Sequence, residues 1–315
     1  MPSFRACVSV LTTGLLVAGI VLACNEDPTD PTGDGGAGRL VFIRSGNGLR
    51  DVYAIDASSK HLTQLTESFA LDDWAAWSPD TLKILFMSDR IPDTTVTARF
   101  QIYVMNADGS NVGQLTFPDP ARDSTGHLID TTSNFHPAWS PDRTKIAFAS
   151  TRDTNPEIYV MDPNGSNVVR LTHDAADDAQ PAWSPDGSKI VFASTRDGNA
   201  EIYVMNADGT GLVNLTHNGA TDLAPAWSPD GAKIAFQSNR QTDFAVWVMN
   251  ADGTNPVRLT EPSPPSGAPD WSPDGTRIAY EQDGDIWIMN VDGTGKTRIT
   301  NGFWADGLPR WRPIL

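Results

Sequence analysis

Three sets of residues in this chain could do chemistry. The first is His127 and His136, nine residues apart, with Arg122, Asp123 and Asp130 close by. Imidazoles beside carboxylates can ligate a metal or move a proton, but the tight H-x-x-x-H spacing of a dedicated metal helix is missing. The second is D-x-N-x-E, found at Asp153, Asn155, Glu157 and again at Asp197, Asn199, Glu201. Oxygen donors at alternate positions suit calcium, yet the full twelve-residue calcium loop is absent and an inter-strand turn explains the residues equally well. No cofactor is expected, and calcium is the one ion this pattern admits. The third is Cys24, which directly follows an apolar run. No G-x-S-x-G stretch occurs, so a nucleophile elbow is not expected.

Charge narrows the field further. The 315 residues include 39 acidic and 23 basic side chains, for a net charge of −16. Such a chain lacks the cations that nucleic-acid binding needs. The two cysteines, Cys7 and Cys24, are too few for a disulfide scaffold or a Cys-rich zinc site. Residues 1–23 place Arg5 before an apolar stretch from Val8 to Ala23, the pattern of a secretory signal. Val21-Leu22-Ala23-Cys24 resembles the bacterial lipobox. That resemblance implies lipidation at Cys24, and Asn25 after it implies the outer membrane. Ordinary cleavage beside an incidental cysteine is the alternative. Residues 24–38 are small, acidic and polar after the cysteine, a flexible tether.

The elements that must position any site follow from a repeat. P-A-W-S-P-D-G, K-I-A-F-A-S, E-I-Y-V-M-N-A-D-G-T and R-L-T recur around Trp77, Trp139, Trp183, Trp227, Trp271 and Trp311. The spacings are 62, 44, 44, 44 and 40 residues. Insertions at Ile91–Arg99 and Phe117–Phe135 account for the long one. Each unit offers four short strands, A to D, rich in β-branched and aromatic residues and bounded by Gly, Pro, Asn and Asp. Four-stranded units at this period predict propeller blades. Residues 39–66 supply strands B, C and D without an A strand, and Pro309-Arg310-Trp311 supplies an A strand alone. Together they complete one blade, numbered 1 here. An all-β, six-bladed propeller spanning 39–315 is predicted, closed by its C-terminal strand.

These repeats resemble the WD-repeat-like units of the TolB family. The resemblance implies a six-bladed propeller and a cell-envelope setting. TolB proper carries an α/β domain before the propeller and belongs to the Tol–Pal system, and no such domain is legible here. Residues present in every blade, such as Trp183, Pro185 and Asp186, are expected to be structural. By analogy with other propellers, strand A lines the channel, and the D–A and B–C loops share one face, called the top. Three residues before each motif Trp stand Trp74, His136, Gln180, Ala224, Ala268 and Leu308; five before stand Asp72, Asn134, Asp178, Asp222, Ser266 and Asp306. Trp74, His136 and Gln180 above Asp72, Asp178, Asp222 and Asp306 would form a rim suited to a basic peptide or a cation. The alternative is that the aspartates cap turns. Asp270 and Arg310 replace the alanine before the motif Trp and are expected to form an ion pair in the channel wall. The leading expectation is a lipid-tethered, monomeric, non-catalytic module that docks an envelope protein or peptide on its top face and meets membrane only through its anchor. A propeller enzyme acting on a glycan or uronate, or a Tol–Pal-like envelope component, is the rival.

Overall fold

The computed structural model describes residues 38–90, 99–117 and 132–314. The leader, Cys24, the tether up to residue 37, and Arg122, Asp123, His127 and Asp130 lie outside the described residues. Strands β1 (Arg39–Gly46), β2 (Leu49–Asp56) and β3 (Leu62–Gln64) open the fold. Blade 2 follows as β4 (Asp72–Trp77), β5 (Lys83–Ser88), β6 (Gln101–Asn106) and β7 (Gly113–Gln114). Blade 3 is β8 (Asn134–Trp139), β9 (Ile146–Ser150), β10 (Glu157–Met161) and β11 (Val169–Arg170). Blade 4 is β12 (Asp178–Trp183), β13 (Lys189–Ser194), β14 (Glu201–Asn206) and β15 (Val213–Asn214). Blade 5 is β16 (Asp222–Trp227), β17 (Lys233–Ser238), β18 (Ala245–Asn250) and β19 (Val257–Arg258). Blade 6 is β20 (Ser266–Trp271), β21 (Arg277–Gln282), β22 (Asp285–Asn290) and β23 (Thr297–Arg298). The last strand, β24 (Ala305–Trp311), pairs antiparallel with β1 and completes blade 1. The architecture is therefore the predicted six-bladed propeller.

Each blade's middle strands are apolar on both faces: Lys189–Ser194 buries all but its first residue. A sheet of that kind must be covered on both sides. Six hydrophobic clusters do this, each shared by two neighbouring blades around the ring. Each motif tryptophan packs in the cluster its blade shares with the preceding one; Trp271 donates its indole N–H to the Ala226 carbonyl of blade 5 at 3.2 Å.

The turns explain the remaining repeat residues. In S-P-D-G, the Ser184 hydroxyl donates to Asp186 Oδ1 at 2.6 Å, and the Ser188 N–H donates to the same oxygen at 3.0 Å. These donors, the Ser184 hydroxyl first, hold the Asp186 carboxyl down to about 2. In N-A-D-G, Gly209 has φ +87°, and a Cβ there would stand 2.8 Å from the Leu171 carbonyl oxygen of the preceding blade. Glycine is required because the C–D turn rests on its neighbour's backbone.

Closure carries its own ion pair. Arg44 of β1 donates Nε to Asp306 Oδ1 of β24 at 2.7 Å and Nη2 to Oδ2 at 2.8 Å. Asp306→Ala would leave a largely buried guanidinium unpaired where the ring closes. We expect a loss of about 3 kcal/mol in urea unfolding. An unchanged midpoint would show that β24 is held by ladder and packing alone.

Candidate functional site

The four rim aspartates are not exposed. Asp72, Asp178, Asp222 and Asp306 are all buried, each beside an arginine of its own blade. Arg196 Nη2 stands 2.8 Å from Asp178 Oδ2, and Arg240 Nη2 stands 2.9 Å from Asp222 Oδ2. Arg90 pairs with Asp72 in the same way. In blade 3 Arg152 donates to Asn134 Oδ1 at 2.9 Å. Every one of these arginines lies over aromatic rings of strands B and C; Arg196, for example, sits 4.8 Å from the Tyr203 centroid. The expected anionic floor is thus a set of neutralised locks inside the blades. They leave no carboxylate facing a ligand, because each is occupied by a guanidinium. Burial still pushes the Asp178 carboxyl up, against Ser194 and Arg196.

The ring three residues before each motif Trp has a feature that composition hides. Trp74, His136, Gln180, Ala224, Ala268 and Leu308 all have positive φ, between 48° and 57°. Each sits where the inner strand slips register against its neighbour. A bulge of this kind re-aims backbone and side chain at a cost of about 1 kcal/mol or more. Three of the N–H groups at these bulges are taken by side chains. Gln180 Oε1 accepts the Ala224 N–H at 2.8 Å, Gln237 Oε1 accepts the Ala268 N–H at 3.0 Å, and Asp73 Oδ1 accepts the Trp74 N–H at 2.7 Å. Gln180 is therefore a clamp between blades 4 and 5 as well as a channel residue.

Trp74 and His136 do come together. Their ring centroids are 4.2 Å apart, and Phe135 meets His136 edge-on at 4.8 Å. Trp74 is only 8% exposed, so this pair packs across the upper channel and does not stand on an open rim. His136 Nδ1 is buried and has no hydrogen-bond partner among the described residues. Burial, then the nearby Arg310 charge, drives the imidazole down to about 3, so it is neutral at physiological pH.

Below this ring lies a cavity of about 240 Å³, walled by the inner strands and reaching Pro185 of the β12–β13 turn and Pro313 just after β24. Asp270 and Arg310 both line it, but they make no ion pair within 4.0 Å, contrary to expectation. Asp270 Oδ2 instead accepts the Trp311 N–H at 2.7 Å. Arg310 Nη1 donates to the Pro309 carbonyl at 2.8 Å, and the guanidinium lies 5.1 Å from the Trp74 ring. What surface these groups keep faces the channel interior. Burial pushes Asp270 up to about 6 against the pull of Arg310.

Carboxylate oxygens of both D-x-N-x-E stretches are engaged by protein, although Glu157 Oε2 is buried without a hydrogen-bond partner. Tyr159 donates to Asp153, and Arg170 Nη2 donates to Glu157 Oε1 at 2.6 Å. Asn199 donates to the Asn218 carbonyl at 3.0 Å, stapling the D–A loop. No group of three His, Cys, Asp or Glu placed to hold a metal occurs among the described residues. His61, His173 and His217 are exposed.

The loop tips carry exposed aromatics that the repeat motifs did not announce. On the top face, Phe69, Phe303 and Phe117 are 100%, 94% and 68% exposed, and Trp304 stands beside Phe303 at 5.4 Å between centroids. They sit on the β3–β4, β23–β24 and β7–β8 loops; Phe69 and Phe303 stand where the other D–A loops place Ala175, Gly219 and Ser263, and Phe117 stands where those loops place His173, His217 and Glu261. A comparison of loop positions alone would have found them.

Comparison with known proteins agrees with this architecture. The family model described as TolB beta propeller domain matches residues 128–263, and that of the dipeptidyl peptidase IV N-terminal region matches 240–311. A protein named TolB homolog from Chlorobium luteolum is 29% identical over 153 residues, which is 39% of this chain and 34% of that protein. The chain thus matches about a third of that relative's length. The crystal structure of TolB from Acinetobacter baumannii superposes with a TM-score of 0.75 at 23% identity, covering 89% of this chain and 67% of that one. An oligogalacturonate lyase from Vibrio parahaemolyticus superposes at 0.55 with 16% identity, over 83% of this chain and 74% of that one.

Two variants separate the buried titrations. In the unfolded chain His136 takes up a proton as pH falls through 6.5, while the folded imidazole does so only near 3. The parent therefore loses stability below pH 6.5, and His136→Gln should gain on it there, by about 1–2 kcal/mol at pH 5. Asp270 runs the other way. Its folded pKa is raised from 3.8 to about 6, so its contribution is present at low pH and lost as pH rises through 6. The stability difference between Asp270→Asn and parent should be smallest near pH 4 and level off above pH 6. Parallel pH profiles for both variants and parent would refute these assignments.

Proposed function

We propose, from the premise that this chain is a TolB-like propeller, that it is a binding module whose top face docks a protein or peptide. The observation that carries this is the set of exposed aromatics on three consecutive top-face loops, Phe303 with Trp304, Phe69 and Phe117. Aromatic side chains held on a rigid scaffold supply large contact area at low entropic cost. Nothing in the inter-blade packing uses Phe69 or Phe303. The chain's net charge of −16 adds long-range attraction for a partner that joins basic to apolar side chains. The lipobox resemblance at Cys24 supports a tether to the envelope, with Asn25 favouring the outer membrane. A role beside a Tol–Pal-like assembly is the natural setting for a relative of proteins named TolB.

An enzyme acting on a glycan or uronate is the second reading, favoured by one observation. His136 leaves an imidazole nitrogen unpartnered in a fold shared with an oligogalacturonate lyase. Its packing between Trp74 and Phe135 weighs against proton transfer to a substrate.

Full-length protein carrying an affinity tag, and its Phe69→Ser/Phe303→Ser variant, should be compared in capture from envelope extract of the source cells. Both side chains are exposed, so the melting temperature should not move. We expect a specific partner on the parent and at least about tenfold less of it on the variant. Equal capture by both would sink top-face docking through these loops.

A further inference from the structure

We infer that the channel cavity is a binding site for a small zwitterion of the α-amino acid class, held by its carboxylate on Arg310 and its ammonium on Asp270. Four blades place alanine before the motif Trp, at Ala76, Ala138, Ala182 and Ala226, and these line the cavity with Pro137, Pro181 and Pro225. Adjoining blades 6 and 1 alone bring charge to this wall, and they bring one of each sign. In a low-dielectric lumen two such groups gain most by direct contact. Here they stay apart, and each keeps hydrogen-bonding capacity. Arg310 spends one N–H on Pro309, and Asp270 receives one backbone N–H on Oδ2. The unused guanidinium N–H groups and Asp270 Oδ1 are not sealed in the protein, since neither group is among the buried unpartnered atoms.

The position is held firmly. Trp74 lies under the Arg310 guanidinium, Trp74 is braced by His136, and the Trp311 N–H orients Asp270. A carboxylate accepts a planar guanidinium in two parallel hydrogen bonds, and an ammonium supplies the donor that Asp270 lacks. A ligand carrying both on one carbon satisfies both walls at once. Its side chain would then meet alanine and proline, which selects an apolar one. A volume of about 240 Å³ takes an amino acid of leucine's size. Exposed Pro185 marks the way in, from the A–B face opposite the proposed docking loops.

The test is calorimetry of full-length protein with L-leucine, with isovalerate (no ammonium) and with isoamylamine (no carboxylate). We expect leucine to bind, and either half-ligand to bind at least about tenfold more weakly. Arg310→Gln and Asp270→Asn should each weaken leucine by a similar factor. Ala182→Leu, which keeps both charges and fills the lumen, should abolish binding without loss of the folded circular dichroism spectrum. Failure of all three probes at millimolar concentration would mean that the lumen holds only water, and the inference falls. Isovalerate or isoamylamine binding as tightly as leucine would also overturn it, as would leucine binding that survives Ala182→Leu. Loss of top-face capture in the Phe69→Ser/Phe303→Ser variant bears on none of these outcomes.

Discussion

Everything in this protein depends on sheets that are apolar on both faces. A single four-stranded blade cannot bury Ile190, Phe192, Ile202 and Met205 by itself, and those side chains are almost wholly removed from water. At about 1.5–3 kcal/mol for each large side chain, that exposure would overwhelm a free blade. Stacking solves the problem for inner blades and leaves it at the two ends of a row. A ring has no ends. The pairing of β24 with β1 therefore does more than add ladder hydrogen bonds. It supplies Trp311 to the sixth inter-blade cluster and so covers the last open face.

The same constraint explains why polar groups in the blades come as matched sets. An aspartate fully inside a blade is tolerable only with a guanidinium on it. The guanidinium in turn lies over aromatic rings that are themselves part of the packing, as Arg240 does over Phe236 and Trp247. Blade 6 shows the coupling by exception. Ser266 replaces the aspartate, and no arginine stands in its turn, where Gln282-Asp283-Gly284 occurs instead. Ser266 then bonds Thr260 at 2.6 Å. In blade 6 both halves of the lock are gone together, whereas blade 3 keeps its arginine, with the neutral Asn134 accepting from Arg152 in place of a carboxylate.

The fold was legible in the sequence because a repeat states its own period, and the two incomplete ends add up to one blade. The site was legible in part. Trp74 and His136 do meet, while Asp72, Asp178, Asp222 and Asp306 looked like a charged rim because acids were counted without their partners. Arg90, Arg196 and Arg240 stand eighteen residues after Asp72, Asp178 and Asp222, a signal present in the sequence all along. The bulges had no comparable sign. Their positive-φ residues are Trp, His, Gln, Ala, Ala and Leu, and of these only the histidine is a type enriched in that conformation. The close approach of six inner strands imposes it, and that is a tertiary effect.

Departures from the repeat gather in one sector. Blades 3, 4 and 5 follow the pattern closely, whereas Asp270, Arg310, Phe303, Trp304, Phe69, Phe117 and Trp74 belong to blades 6, 1 and 2 or the loops beside them. Two kinds of position are free to vary without disturbing the ring: the channel wall, where a side chain points into open volume, and the loop tips, where it points into solvent. Asp270, Arg310, Trp74, Phe69, Phe303 and Trp304 enter none of the inter-blade clusters. The middle strands have little such freedom, because beyond an exposed first lysine their residues are packed between blades, as in Lys83–Ser88 and Lys189–Ser194. Variation under that restriction concentrates recognition at the channel and the top loops, and it leaves the scaffold that holds them almost identical from blade to blade.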